Sequence, residues 1–269
     1  MSPAGEGTKG HISAAGEGTK SRYWEVEQVM RNKVYASFDK AVADIPDGAV
    51  FMSGGFASIG VPRNLLAALV RQGAKDLTGI SNNSGGLGEV MDVGKLVDNG
   101  QIRKMVCAFT AAPHPSRAAT FEKLHEAGEV EAELVPQGTL VERMRAAGAG
   151  IGAFYTPTGV GTEIAEGKEH RDFNGRTYVL ETPLHADYAF VRAYRADTFG
   201  NLQFRRSQRN FNPIMAMAGK ITIVEVEEDI LELGAMDPDS IHTPGIVVDR
   251  IVKIPPAPKG LWDKPNPRA

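Results

Sequence analysis

Residues 47–62 read Asp-Gly-Ala-Val-Phe-Met-Ser-Gly-Gly-Phe-Ala-Ser-Ile-Gly-Val-Pro, and this stretch limits the fold more than any other. The apolar run 49–52 has the length and composition of a buried strand, and the pair Gly54-Gly55 ends it. Gly60 and Pro62 then open an apolar-periodic segment (Leu65, Leu66, Leu69, Val70) that reads as a helix over 62–72 closed by Gly73. Strand, glycine turn and helix in direct succession point to an α/β protein. Such a turn lets backbone N–H groups approach a ligand and aims the positive end of the helix at negative charge. A tight βα connection needs the same glycines, so the turn alone leaves both roles open.

The rest of the chain keeps the alternation. Strands are expected at 77–81, 105–109 and 131–135, and helices at 90–98 and at 121–127 with Gly128 as stop. Thr139 is expected to cap a helix over 140–147, with Glu142 completing a capping box. This pitch predicts an open, largely parallel sheet flanked by helices. The second half is richer in β, with strands expected at 176–180, 188–193, 221–226 and 246–248 and hairpin turns at Asn174-Gly175 and Gly200-Asn201. No linker divides the core. The expected organisation is a disordered tail over 1–22, one domain over 23–254 with a β-rich subregion near 150–185, and a Pro-rich tail over 255–269. The first tail repeats Ala-Gly-Glu-Gly-Thr-Lys at 4–9 and 15–20 and is too poor in apolar residues to offset its ordering entropy.

Composition excludes several classes. A net charge of −3 offers no electrostatic footprint for nucleic acid or anionic membrane. No apolar run approaches the roughly 18 residues of a membrane helix. The single cysteine, Cys107, rules out an internal disulfide and, inside a strand-like run, reads as a buried inert thiol. A reducing compartment, the cytoplasm, is expected. The six histidines are scattered, which argues against a metal site, and His185 and His242 read as structural. The Gly-x-Gly-x-x-Gly and Walker patterns are both absent around residues 53–62, as is any Gly-x-Ser-x-Gly elbow. The chain has no obvious nucleophile of its own. What remains are three polar or glycine-rich turns that each follow an expected strand: Gly54-Gly55-Phe56, Asn82-Asn83 and Gln137-Gly138. In an open parallel sheet, such turns gather along one edge.

Residues 47–62 closely resemble the signature of the family I coenzyme A transferases, with Ser53 as the one departure. Collinear likeness runs from about residue 32 to 252, through Ile-Ser-Asn-Asn at 80–83, Pro-Gln-Gly-Thr-Leu at 136–140, Glu-Gly-Lys-Glu at 166–169, Arg-Asn-Phe at 209–211 and Ile-His-Thr-Pro-Gly-Ile at 241–246. The resemblance is to the A-type (alpha) subunit of 3-oxoacid CoA-transferases. It implies a homologous B-type (beta) subunit in an A2B2 assembly, with the catalytic glutamate in a Ser-Glu-Asn-Gly motif of the B-type chain, a motif this chain lacks. It implies ping-pong chemistry through a glutamyl-CoA thioester, with no metal or redox cofactor. By the same resemblance Gln137 approaches the substrate carboxylate, Asn82 and Asn83 line the same crevice, and Gly54, Gly55 and Phe56 form the turn beside it. Stretches at 105–109, 150–154, 183–187 and 213–218 look most like the form specific for 3-oxoadipate, with CoA coming from succinyl-CoA. The loop over 110–117 departs from that subgroup and from the acetoacetate-type enzymes, so acetoacetate or another short acid remains the alternative. His114 and Arg117 in this loop are candidates to hold a distal carboxylate. Outside the enzyme class, the fold also admits a non-catalytic ligand-binding module.

Overall fold

The computed structural model describes residues 32–86, 90–110 and 119–256. The repeated N-terminal segment, nearly all of the Pro-rich tail, and His114 and Arg117 lie outside the described residues. Along the chain come α1 (Phe38–Val42), β1 (Val50–Ser53), α2 (Arg63–Gln72), β2 (Leu77–Ser81), α3 (Gly94–Asp98), β3 (Ile102–Cys107), α4 (Thr120–Glu126), β4 (Glu131–Leu134) and α5 (Gln137–Ala149). Then follow β5 (Phe154–Thr156), β6 (His170–Phe173), β7 (Arg176–Glu181), β8 (Ala186–Ala193), β9 (Arg195–Ala196), β10 (Leu202–Gln203), α6 (Asn212–Ala218), β11 (Gly219–Val226) and β12 (Arg250–Lys253).

Seven of the described strands pair in the order β12-β11-β8-β1-β2-β3-β4, every pair parallel. A parallel sheet is covered on both faces, which is why β1 and β2 are buried almost throughout. The pleat divides the core. Phe51 and Phe190 pack with Leu65, Leu69 and Phe121 on one face, while Met52 and Ala189 pack with Leu140, Met144 and Met215 on the other. Helices α1 to α4 therefore cover the first face, and α5 and α6 the second. Strands β2 to β4 are added on one side of β1, and β8, β11 and β12 on the other. The order of addition reverses between β1 and β8, which places a topological switch point at the carboxyl end of β1.

The β-rich subregion is an antiparallel sheet of order β5-β7-β6. Asn174 and Gly175, at φ 51° and 79°, form its two-residue hairpin turn. Strands β9 and β10 also pair antiparallel, and the Asp197 carboxylate gathers the N–H groups of Phe199, Gly200 and Asn201 in the loop between them. Gly73 closes α2 at φ 86°, as its position predicts.

Three expectations are corrected. Helix α5 begins at Gln137, behind an extended Pro136, and Leu140 N–H donates to Pro136 O at 2.8 Å. Thr139 is therefore inside the helix, and Glu142 pairs with Arg145 rather than forming a capping box. The β-prone residues 246–248 are not a strand. Pro244 and Gly245 start a 3-10 turn over Gly245–Val247, and the strand follows at β12. The helix expected over 90–98 is only the short α3.

Arg250 fastens the last strand to the first helix. Its guanidinium donates to both oxygens of Asp44, at 2.6 and 2.7 Å, and to Ala41 O at the end of α1. The hydrogen bond from Arg250 holds the Asp44 carboxyl below the usual carboxylate range. A group with a depressed folded pKa adds stability above its unfolded pKa and loses it as pH falls through the folded value. Half-exposure of Asp44 limits the pair to about 1–2 kcal/mol. The Asp44→Asn variant is expected to be that much less stable by urea unfolding at pH 7, and the difference is expected to vanish as pH falls through the lowered folded pKa of Asp44.

Candidate functional site

At the switch point, β1 runs into Gly54 and Gly55. The Gly54 N–H continues the ladder to Phe190 O on β8 at 2.9 Å. A Cβ on Gly54 would lie 2.0 Å from Asn212 Oδ1, so only glycine fits. Gly55 has φ 110° and faces Val61, whose Cγ2 would stand 2.7 Å from an added Cβ. The glycines thus admit two neighbours into the turn, Asn212 and Val61.

Asn212, fully buried at the start of α6, ties the turn together. Its Oδ1 accepts from Arg192 N–H at 3.0 Å, and its Nδ2 donates to Gly60 O at 3.0 Å and Gln208 O at 2.8 Å. One side chain therefore joins β8, the signature turn and the 3-10 helix Arg206–Arg209.

The positive end of α2 meets a negative charge, as its sequence predicts, but the charge is the protein's own. Glu225, fully buried near the end of β11, accepts from the N–H groups of Asn64 and Leu65 at 2.8 and 3.1 Å through Oε2. Its Oε1 accepts from Arg192 at 3.1 Å and from the Asn64 amide at 3.3 Å. Burial pushes the Glu225 pKa up to about 7, against the opposing pull of Arg192 and the helix N–H groups. Arg192 also donates to Glu227 at 2.9 Å. No external anion is needed at this helix end.

A small crevice opens beside the turn, with Gly54, Gly55, Asn82, Asn83 and Asp92 in its lining. Its polar groups are mostly committed. Asp92 accepts from Gly86 and Gly94 N–H, and Ser81 donates its hydroxyl to Asn83 O. Asn83 Oδ1 accepts from Gly85 N–H at 2.9 Å, and its amide leans on Asn82 Oδ1 at 3.4 Å. Two N–H donors stay open. Asn82 Nδ2 is buried and meets no acceptor among the described residues, and neither does the Gly55 N–H. Such unpaired buried donors each cost about 1–3 kcal/mol, and a bound anion repays that cost.

Four of the six site residues expected from sequence therefore line one crevice. Phe56 stands on its outer side, 45% exposed, in a tight turn closed by reciprocal bonds with Ile59. Gln137 lies on the same carboxyl edge but beyond β4, exposed, and is not part of the crevice lining. Cys107 is fully buried, and burial pushes its thiol up to about 12. His242 stacks on Phe204 and accepts from its N–H, a structural histidine as expected, whereas His185 is exposed. Sequence reading missed Arg192, Asn212 and Glu225. The signal was there for two of them, since each is a charged residue inside a run that otherwise reads as a buried parallel strand.

Comparison with known proteins agrees with this architecture. The coenzyme A transferase family matches residues 35–254. The chain is 51% identical over 225 residues to the A-type subunit of the 3-oxoadipate CoA-transferase of Pseudomonas putida, covering 84% of this chain and 95% of that one. It is 52% identical over 221 residues to the A-type subunit of the succinyl-CoA:3-ketoacid coenzyme A transferase of Xanthomonas campestris pv. campestris, covering 82% and 88%. Among solved structures, glutaconate coenzyme A-transferase from Acidaminococcus fermentans shares the fold, with a TM-score of 0.70 at 24% identity over 83% of this chain and 76% of that one. No described helix is long and apolar enough to cross a membrane. The chain belongs to the coenzyme A transferase family.

Proposed function

We propose that this chain is the A-type subunit of a two-component enzyme that moves CoA from succinyl-CoA to 3-oxoadipate, with the nucleophilic glutamate supplied by a homologous B-type subunit. The observation that carries the reading is the pair of open donors, Gly55 N–H and Asn82 Nδ2, in a crevice whose one lining carboxylate among the described residues, Asp92, is already bonded to backbone N–H groups. Such a wall receives an oxyanion but cannot attack a thioester.

The partner's carboxylate attacks the succinyl-CoA carbonyl. The C–S bond breaks, CoA leaves as the thiolate, and a succinyl-glutamyl anhydride forms. The thiolate then attacks the glutamyl carbonyl, giving glutamyl-CoA and freeing succinate. The carboxylate of 3-oxoadipate attacks this thioester, the two steps run in reverse, and 3-oxoadipyl-CoA leaves. Negative charge builds on a carbonyl oxygen in each addition, and Gly55 N–H and Asn82 Nδ2 hydrogen-bond that oxygen. Asn83 positions Asn82, Gln137 orients the acid carboxylate, and Phe56 covers the outer side of the turn. The thioester conserves the bond energy, so the cycle draws on no metal or redox cofactor. The setting is an A2B2 assembly in the cytoplasm, with His114 or Arg117 holding the distal carboxylate.

The second reading, acetoacetate or another short 3-oxo acid as acceptor, is supported by the broader word 3-ketoacid in the name of the Xanthomonas relative. The test is kcat/KM of the co-expressed pair with each acid. A preference for 3-oxoadipate is expected, and a preference for acetoacetate would replace it.

A further inference from the structure

Beside its two open N–H donors, the crevice contains a hydroxyl. Ser53 ends β1, is only 2% exposed and belongs to the crevice lining. The strand before it is apolar, and Ser53 is the one departure from the signature over 47–62. The pleat decides where its side chain points. Phe51 packs on the face covered by α2, so Ser53, two residues on, falls on that same face. Val61 and Val93, the two valines of the crevice lining, belong to that face as well.

Ser81 stands in register with Ser53 on the neighbouring strand and shares the lining. The two hydroxyls differ in what they meet. Ser81 donates to Asn83 O, whereas Ser53 has no hydrogen-bond partner among the described residues. A buried hydroxyl normally has one. The free space in front of it is about 20 Å³, room for a single water-sized group. One ligand oxygen therefore fills the crevice, and three lining residues keep a donor open toward it: Gly55, Asn82 and Ser53.

The number of donors has a chemical meaning. A thioester carbonyl oxygen carries two lone pairs, and two donors serve it. The oxyanion of the tetrahedral adduct carries three. A third donor gains little in the ground state and strengthens as charge builds, so it acts on the rate rather than on binding.

We infer that the Ser53 hydroxyl is a third oxyanion donor of this chain, acting with Gly55 N–H and Asn82 Nδ2 on the thioester carbonyl oxygen. The assignment rests on the proposed function. The proton stays on Oγ throughout, and no covalent bond to the serine forms.

The test is steady-state kinetics of the co-expressed pair carrying Ser53→Ala or Ser53→Cys, with a thermal melt of each. Alanine removes the hydroxyl, and cysteine keeps a side chain of similar shape whose S–H is a weak donor. Both are expected to lower kcat about tenfold or more, the loss of one hydrogen bond to a charged oxygen, with KM for succinyl-CoA within about twofold of wild type. Melting temperatures should stay within about 3 °C of wild type, because no partner inside the chain is lost. Wild-type kcat in both variants would overturn the assignment. So would a raised KM at unchanged kcat, the mark of binding common to ground and transition states. A melting temperature that falls together with kcat would place the hydroxyl in the packing of β1 and overturn it too. An inactive wild-type pair would remove the proposed function itself, whereas an active pair indifferent to Ser53 would remove this inference alone.

Discussion

Gly54→Ala is expected to cost about 3 kcal/mol or more, a large share of a domain stability of about 5–15 kcal/mol. The added methyl would sit 2.0 Å from Asn212 Oδ1 and 2.7 Å from its Cγ, with Phe190 O at 3.3 Å behind it. Asn212 cannot withdraw without abandoning Arg192 N–H, Gly60 O and Gln208 O. The clash is therefore with a side chain, and this makes the prediction specific. Asn212→Ala alone should cost about 2–4 kcal/mol, because it takes a partner from three backbone groups, one of them in a fully buried bond. Combined, the two changes should cost less than their sum by at least about 1 kcal/mol, because removing Asn212 makes room for the methyl. Urea unfolding of the two singles and the double measures this coupling. Simple additivity would mean that the glycine serves the backbone and not Asn212.

The second large effect is on activity. Asn82→Ala should lower kcat/KM of the reconstituted pair about 10²- to 10³-fold, the usual loss on removing one oxyanion donor. Its melting temperature should stay within about 3 °C of wild type. The variant loses only the 3.4 Å contact with Asn83, and it relieves a buried amide that has no acceptor among the described residues. A residue retained for stability would show the reverse pattern, with activity holding while melting falls. Kinetics with succinyl-CoA beside a thermal melt separate the two cases.

The parts of the fold that were readable from sequence are those set by local chemistry. Gly73 can end α2 because glycine adopts φ 86° freely, and Asn174-Gly175 can turn a hairpin for the same reason. The apolar runs of β1, β2, β8 and β11 announce a sheet buried on both faces. The misread elements are those decided by neighbours. Residues 246–248 have strand-like side chains, yet Pro244 and Gly245 set a 3-10 turn first. Thr139 matches a cap pattern, yet Pro136 starts the helix three residues earlier.

The site divides in the same way. The residues of the signature turn and Asn82-Asn83 were legible because strand ends in a parallel sheet share an edge. Their physical roles were not. That Gly54 makes room for Asn212, 158 positions away, is fixed only by tertiary packing. Whether the positive end of α2 meets a ligand's charge was left open by the sequence, and the charge there belongs to Glu225, brought in by the pairing of β11 with β8. The N–H donors that stay open for a ligand in this crevice, Gly55 N–H and Asn82 Nδ2, are visible only once the strands are paired and the neighbouring polar groups are placed.

The central claim is that this chain shapes the site and stabilises charge while another chain makes the covalent bond. Its most direct measurement is peptide mass spectrometry on the two-subunit complex, following reaction with succinyl-CoA in the absence of an acceptor acid. The account predicts a CoA thioester on a glutamate of the partner, no adduct on this chain, and no CoA transfer by this chain alone. An adduct on any residue of this chain, or turnover without the partner, would contradict it.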